Sequence, residues 1–392
     1  MATTLTVTVN ESCGASKLAR GSGRYAAYNA AMPRRRNIAV FLPNWIGDVV
    51  MATPALHALR AHFADARIAY VGRAGALATL APAVEADDRV EDRSNRPPRT
   101  ANALELARRL RRWRPDLAVL LPNSFRTALI ARMGGSRRVL GYDRDGRGPL
   151  LTDRVRPRRG PGGRFTPMPA VTYYAELVKA IGVRCDETRL TLPVAPADRE
   201  AADALLAEAG VVPDRPVVLL NPGASFGTSK MWAPERYGAL ADLLIERRAA
   251  QVVLNAAPSE RHVARWVEEA MTHRPAISFA RRDNSLGLLK ALLARCDLLV
   301  TNDTGARHVA AALGTPVVTV FGSTDPEWSR IGFGDERIVR EPVECSPCQR
   351  KLCPLPAGPQ YHQCMERIAP ERVLAAACEL LDLARPKGGG PS

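Results

Sequence analysis

Leu298-Leu299-Val300-Thr301-Asn302-Asp303-Thr304-Gly305 is an apolar run that stops in a small polar turn. The run is strand-length and bounded by turn chemistry. The apolar residues from Ala306 to Leu313 then read as a helix, and Gly314-Thr315 leads into a second strand from Pro316 to Phe321. Strand, turn, helix and strand in this order are the unit of a parallel sheet with crossover helices. The turn favours an anion, because free backbone N–H groups and the helix dipole both face outward there. Thr304 adds a hydroxyl, and Gly305 lets a phosphate approach the backbone. The plainer alternative is that Asp303 or Thr304 only caps the helix.

Upstream, Val217–Leu220 reads as a strand ending at Asn221-Pro222-Gly223, with helices over 234–248, 259–271 and 285–294 and strands over 251–254 and 276–279. The stretch from Asn221 to Trp232 is too rich in glycine and hydroxyls for regular structure. Ser225, Thr228, Ser229 and Lys230 offer donors for a diphosphate, with Lys230 as the point charge. Two anion-favouring segments at the carboxyl edge of one sheet suggest a single nucleotide diphosphate.

The first half repeats the theme. Ile38–Leu42, Arg67–Val71 and Leu117–Leu121 read as strands, and Leu104–Trp113 as a helix. Val49, Ala52, Leu56, Leu59 and Phe63 recur at helical spacing, so Asp48 opens a helix. A carboxylate there either caps the helix or, held ionised by the dipole with a lowered pKa, accepts a proton from a hydroxyl. The fold class is α/β, with two facing Rossmann-like, doubly wound parallel-sheet domains and a cleft between them. Neither first strand is followed by Gly-x-Gly-x-x-Gly, so a nicotinamide or flavin enzyme lacks its fingerprint. The expected division is 34–205 for the first domain and 206–385 for the second. Residues 1–33, rich in Thr, Ser, Ala and Gly without an apolar core, and 386–392 read as disordered ends.

Composition narrows the partners. The 392 residues are 46% hydrophobic and 24% charged, which is globular, and no apolar run of about 18 residues is present to span a membrane. The net charge of +15 and pI near 9.9 favour an anionic partner, although arginine-rich codon usage also raises both. Aromatics are only 5% and do not interleave with the basic residues, which argues against nucleic acid. From Gly141 to Met168 the chain carries Arg144, Arg147, Arg154, Arg156, Arg158, Arg159 and Arg164, a loop that either faces an anion or is merely solvated. Cys345, Cys348, Cys353 and Cys364 are clustered, with His362 near. Their spacing allows a metal, but reduced structural thiols are the plainer reading, so no metal ligand is assigned.

Three segments together resemble the ADP-heptose:lipopolysaccharide heptosyltransferase family, glycosyltransferase family 9. They are Asn44-Trp45-Ile46-Gly47-Asp48 running on to Pro54, Asn221-Pro222-Gly223-Ala224 with Phe226-Gly227 and Lys230-x-Trp232, and Thr301-Asn302-Asp303-Thr304-Gly305 with His308. The resemblance runs from about Ile38 to Leu381. It implies the GT-B architecture, an N-terminal acceptor domain and a C-terminal ADP-sugar domain. It implies an inverting transfer from ADP-L-glycero-beta-D-manno-heptose to the inner core of lipopolysaccharide, adding the second heptose. The neighbouring readings are the first heptose, another sugar, or a sugar-nucleotide epimerase. No cofactor or bound metal is required. Asp48 falls at the general base. Lys230, Thr228, Ser229, Asp303, Thr304 and Gly305 fall at the donor diphosphate, and Glu260 is the ribose candidate. Met231 stands where an arginine often follows the lysine. The implied acceptor is phosphorylated lipid A–Kdo–heptose, with Arg147 and Arg164 as candidates for its phosphates. The implied protein is a cytoplasmic monomer in peripheral contact with the inner membrane.

Overall fold

The computed structural model describes residues 36–82, 85–163 and 165–383. The expected disordered ends, 1–33 and 386–392, lie outside the described residues, as does Arg164.

The first half runs through β1 (Asn37–Phe41), α1 (Ile46–Met51), α2 (Thr53–His62), β2 (Arg67–Gly72), α3 (Ala74–Thr79) and β3 (Asp88–Glu91). It continues with α4 (Arg99–Trp113), β4 (Leu117–Leu120), α5 (Phe125–Met133), β5 (Arg138–Tyr142), β6 (Asp153–Val155) and α6 (Ala170–Lys179). After α7 (Pro196–Glu208) the second half gives β7 (Val217–Asn221), α8 (Pro234–Arg248), β8 (Gln251–Leu254), α9 (Arg261–Ala270), β9 (Ile277–Ser278) and α10 (Leu286–Arg295). Then follow β10 (Leu298–Asn302), α11 (Gly305–Leu313), β11 (Val317–Phe321), β12 (Glu336–Arg340), α12 (Gln363–Glu366) and α13 (Pro370–Leu383).

Each half forms a six-stranded sheet, in the orders β3-β2-β1-β4-β5-β6 and β9-β8-β7-β10-β11-β12, and every pairing between these strands is parallel. The two orders are the same topology used twice. Each reverses beside its first strand, between β1 and β4 and between β7 and β10, and ligands bind at such switch points. Period-two alternation sorts the buried strands onto both faces: Ile38 and Val40 of β1 join one core cluster, Ala39 and Phe41 the other. The larger cluster runs through both halves, so their cores are continuous.

The division between the halves lies earlier than the composition shift at Pro213–Pro216 implies. Helix α7, left mainly with the first half by a cut at 205, packs on α10 of the second half. Asp203 pairs with Arg295 at 2.6 Å, and Glu208 with Arg282 at 3.1 Å. The crossing segment near Thr191–Pro193 is tied to both halves. Thr191 meets His57 at 2.7 Å, and the Pro193 carbonyl accepts from the buried Lys290 of α10 at 2.9 Å. Lys290 also donates to the Thr79 carbonyl across the junction, at 3.3 Å.

Candidate active site

The turn after β1 sets Asp48 in the first turn of α1, where Trp45 precedes the helix and no side chain caps it. Asp48 is therefore free of the capping role. Its pKa is not lowered by the dipole, as the sequence suggested, but raised to about 6. Burial is the main cause, Asp303 adds to it, and Lys230 opposes it. The helix is one short turn and a half, and desolvation outweighs its dipole. A group with that pKa is still about nine-tenths ionised at pH 7, and it is better matched to taking a proton than an ordinary aspartate.

The two switch points meet tip to tip. A β-carbon built on Gly47 would lie 2.6 Å from His308 Cδ2, and one on Gly305 would lie 3.0 Å from Ile46 Cβ. Glycine at both positions lets the starts of α1 and α11 approach. His308 is buried, and its Nδ1 has no partner among the described residues. Burial, with Arg307 beside it, pushes its pKa down to about 3, so the ring is neutral.

Opposite Asp48, Lys230 Nζ donates to Asp303 Oδ2 at 2.5 Å and to the Asp303 carbonyl at 3.2 Å. Thr324 donates to the same carboxylate oxygen at 2.8 Å, and Arg307 lies 3.8 Å from the other. Burial pushes the Asp303 carboxyl up, but the two cations outweigh it and hold it below its ordinary value. An ionised carboxylate repels a diphosphate, so Asp303, expected among the diphosphate ligands, is instead the partner that holds Lys230. Thr304 is the residue before α11, yet its side chain does not cap the helix. Its hydroxyl meets Thr301 at 3.1 Å and accepts from Asn221 at 3.3 Å. Asn302 ties the two loops together: it donates to the Pro222 carbonyl at 2.8 Å and accepts from the Trp232 N–H at 3.2 Å.

Between these loops and β8 lies a cavity of about 230 Å³, closed from the first half by Ile46 and otherwise walled by the second. Gly223, Thr304 and Gly305 form its anion-favouring end, and Ala256, Pro258, Leu286 and Leu289 supply apolar walls. Glu260 lines it as well. Its carboxyl is raised by burial, and a β-carbon on Gly223 would come 2.2 Å from its Oε2. Asn255 and Asn284, which sequence reasoning passed over, extend a run of amides into this wall. Asn255 donates to Asn221 Oδ1 at 2.6 Å, and Asn284 donates to Asn255 Oδ1 at 2.5 Å. The signal available was Asn255 ending a strand beside Asn221 at the carboxyl edge.

Two expected ligands, Ser229 and Arg147, are placed elsewhere. Ser229 is buried away from the cavity: its hydroxyl meets Ser323 at 3.0 Å and donates to the Arg350 carbonyl. Thr228 is exposed on the 3-10 turn Thr228–Lys230. Arg147 is wholly buried, with its guanidinium donating to Tyr142 O at 2.9 Å, Asn123 Oδ1 at 3.0 Å and Pro122 O. All three of its nitrogens serve the fold, so it is not available to an acceptor phosphate. Arg144 and Arg159 of the same loop instead flank the Phe165 ring, at 4.0 and 4.5 Å.

Cys345, Cys348, Cys353 and Cys364 surround a space of about 10 Å³ together with His362 and Ser229, all as free thiols. Among the described residues, no three His, Cys, Asp or Glu side chains are arranged to hold a metal ion. The cysteine loop buttresses the lysine turn: Ser229 N donates to Lys351 O at 3.1 Å, and a β-carbon on Gly227 would lie 2.2 Å from that oxygen. No helix among the described residues is long and apolar enough to cross a membrane.

The assembled cleft combines a carboxylate with a pKa of about 6, a largely buried cation beside the start of α11, and a mixed apolar and amide pocket. Residues 103–357 match the model of glycosyltransferase family 9 (heptosyltransferase). The chain is 28% identical over 358 residues to lipopolysaccharide heptosyltransferase 2 of Escherichia coli K12, covering 88% of this chain and 98% of that one. It is 24% identical to lipooligosaccharide heptosyltransferase 2 of Campylobacter jejuni, covering 88% of this chain and 98% of the relative. The solved structure of E. coli ADP-heptose lps heptosyltransferase II superposes with a TM-score of 0.70 at 26% identity, covering 88% of this chain and 99% of that one.

Proposed function

We propose a heptosyl transfer from one premise: the chain belongs to glycosyltransferase family 9, the heptosyltransferases, and is a glycosyltransferase acting in lipopolysaccharide core synthesis. The donor in this reading is ADP-L-glycero-β-D-manno-heptose, and the acceptor is the phosphorylated lipid A–Kdo core already bearing one heptose. The relatives named heptosyltransferase 2 support the second-heptose assignment.

The single observation that carries the reading is the placement of Asp48: it lies in the uncapped first turn of α1, where the two halves meet at Gly47 and Gly305, within electrostatic reach of Lys230. Asp48 takes the proton from the acceptor hydroxyl. The freed oxygen pair bonds to the anomeric carbon from the face opposite the diphosphate, and the anomeric C–O bond breaks with its electrons going to ADP. The charge developing on ADP meets Lys230 and the N–H groups that open α11, which are already in place and need no reorganisation. Glu260, which lines the cavity, is the ribose contact. Arg144 and Arg164 of the basic loop are the contacts proposed for acceptor phosphates. No step requires a metal, and the enzyme works at the cytoplasmic face of the inner membrane.

Purified enzyme supplied with ADP-heptose and acceptors carrying zero or one heptose tests this by product mass. Addition to the one-heptose acceptor, with ADP released and EDTA without effect, is expected. Addition only to the heptose-free acceptor would move the assignment to the first heptose. Transfer to neither would overturn the heptosyl reading.

A further inference from the structure

Helices α4 and α5 cover the same face of the first sheet: Leu106, Ala107 and Leu110 of α4 and Ala128, Ile130 and Ala131 of α5 share one core cluster with Ala39 and Phe41. They pack closely, since a β-carbon on Gly134 would lie 2.8 Å from Leu110 Cβ. Their outward sides therefore form one continuous surface.

That surface has an uncommon composition. On α5, Phe125, Leu129 and Met133 follow each other at i, i+4 and i+8 and are 49%, 38% and 42% exposed. Residues at that spacing stand one above another on a helix, so they form a stripe. Beside it, α4 exposes Arg108, Arg109, Arg111 and Arg112 against the single acidic residue Glu105. Among the described residues none of these four arginines is in an ion pair, although Arg109 lies close enough to Glu91 to lower its pKa. A β-carbon on Gly135, at the end of α5, would lie 3.8 Å from Arg111 Cγ, so Arg111 adjoins the end of the apolar stripe. An apolar stripe flanked by cations matches an interface that is apolar within and anionic at its surface.

The stripe also begins at the active edge. Strands β1 and β4 are parallel neighbours, so the turn bearing Asp48 and the turn leading to Phe125 leave the sheet on the same side. Trp45, next to Asp48's turn, is 53% exposed on that rim.

We propose that the α4–α5 face docks on an anionic phospholipid bilayer, with Phe125, Leu129 and Met133 entering the headgroup layer and the α4 arginines on lipid phosphates. This rests on the reading of a lipid-borne acceptor and adds the surface that brings the cleft to it.

Co-sedimentation of the full-length protein with vesicles of phosphatidylcholine, with or without phosphatidylglycerol, tests the proposal. Binding to the anionic vesicles, weakened by salt and weak on the neutral ones, is expected. Phe125→Ser/Leu129→Ser/Met133→Ser should lower vesicle partitioning at least about tenfold while leaving transfer to a delipidated, water-soluble acceptor unchanged. Arg108→Gln/Arg111→Gln/Arg112→Gln changes only exposed side chains and keeps the test decisive if the first variant folds poorly. It should lose the preference for anionic vesicles. Native protein that binds neither vesicle, or variants that bind as native, would overturn the docking face. Failure of the native enzyme to transfer to the soluble acceptor would instead count against the functional reading, and the vesicle result would still judge the face.

Discussion

Lys230 and Asp303 form a 2.5 Å ion pair that joins the loop after β7 to the turn after β10, and both side chains are largely buried. The pair does two jobs with one contact. It holds two loops of the same sheet together, and it fixes a cation at the site proposed for the donor diphosphate.

Separating those jobs gives the first prediction. Lys230→Met should raise the KM for donor at least about tenfold by removing a charge-assisted contact. It should also destabilise the protein by about 3 kcal/mol, because Asp303 is left buried with only the more distant Arg307. Adding Asp303→Asn should restore much of the stability in chemical denaturation but none of the donor affinity. Recovery of both together would show that the lysine acts only through the fold.

The titration of Asp48 gives the second. Proton abstraction needs the carboxylate, and its pKa is about 6. The rate kcat/KM should therefore be level above about pH 7 and fall about tenfold per pH unit below 6. A level profile down to pH 5 would exclude Asp48 as the group that titrates.

The same shift predicts a stability effect of definite sign. A carboxyl whose folded pKa is raised from 3.8 to about 6 costs the folded state as pH rises through that window, and the full cost is present above it. The displacement corresponds to at most about 3 kcal/mol. Asp48→Asn should thus be more stable than the native protein at pH 8, and equal to it below pH 3.8, in urea unfolding at the two pH values.

Gly47→Ala is the fourth. Its new methyl would meet His308 Cδ2 at 2.6 Å, and His308 is too buried to swing aside. The contact between α1 and α11 must open, so transfer should fall at least about tenfold while ADP binding, built mainly from the second half, changes little. Unchanged turnover would mean that the two helix starts need not meet during catalysis.

Apolar elements were the legible part of this chain. β1, β4, β7, β10 and β11 are nearly continuous runs of buried residues, and their alternation with helices specified the architecture. β3, β5, β6 and β12 escaped sequence reading because Asp88-Arg89-Val90-Glu91, Arg138-Val139, Asp153-Arg154-Val155 and Glu336-Arg337 mix charges into short strands. Charge pairing across strands supports several of them, as Arg67 with Asp88 at 2.6 Å and Arg138 with Asp153 at 2.5 Å. At the site, loop glycines and hydroxyls marked where an anion belongs, but residue type does not tell which way a side chain turns. Ser229 faces the cysteine loop, Arg147 turns inward onto Pro122, Asn123 and Tyr142, and Asp48 has the opposite pKa shift from the one its helix position suggests. Each outcome depends on burial and on partners far away in the chain.

The most direct test of the central claim, that Asp48 is the base of a transfer reaction in this cleft, is the single-turnover rate of Asp48→Asn beside its affinity for ADP. The account predicts a rate about 100- to 10,000-fold below native, with ADP bound as tightly as before. A native transfer rate with ADP binding intact would contradict it.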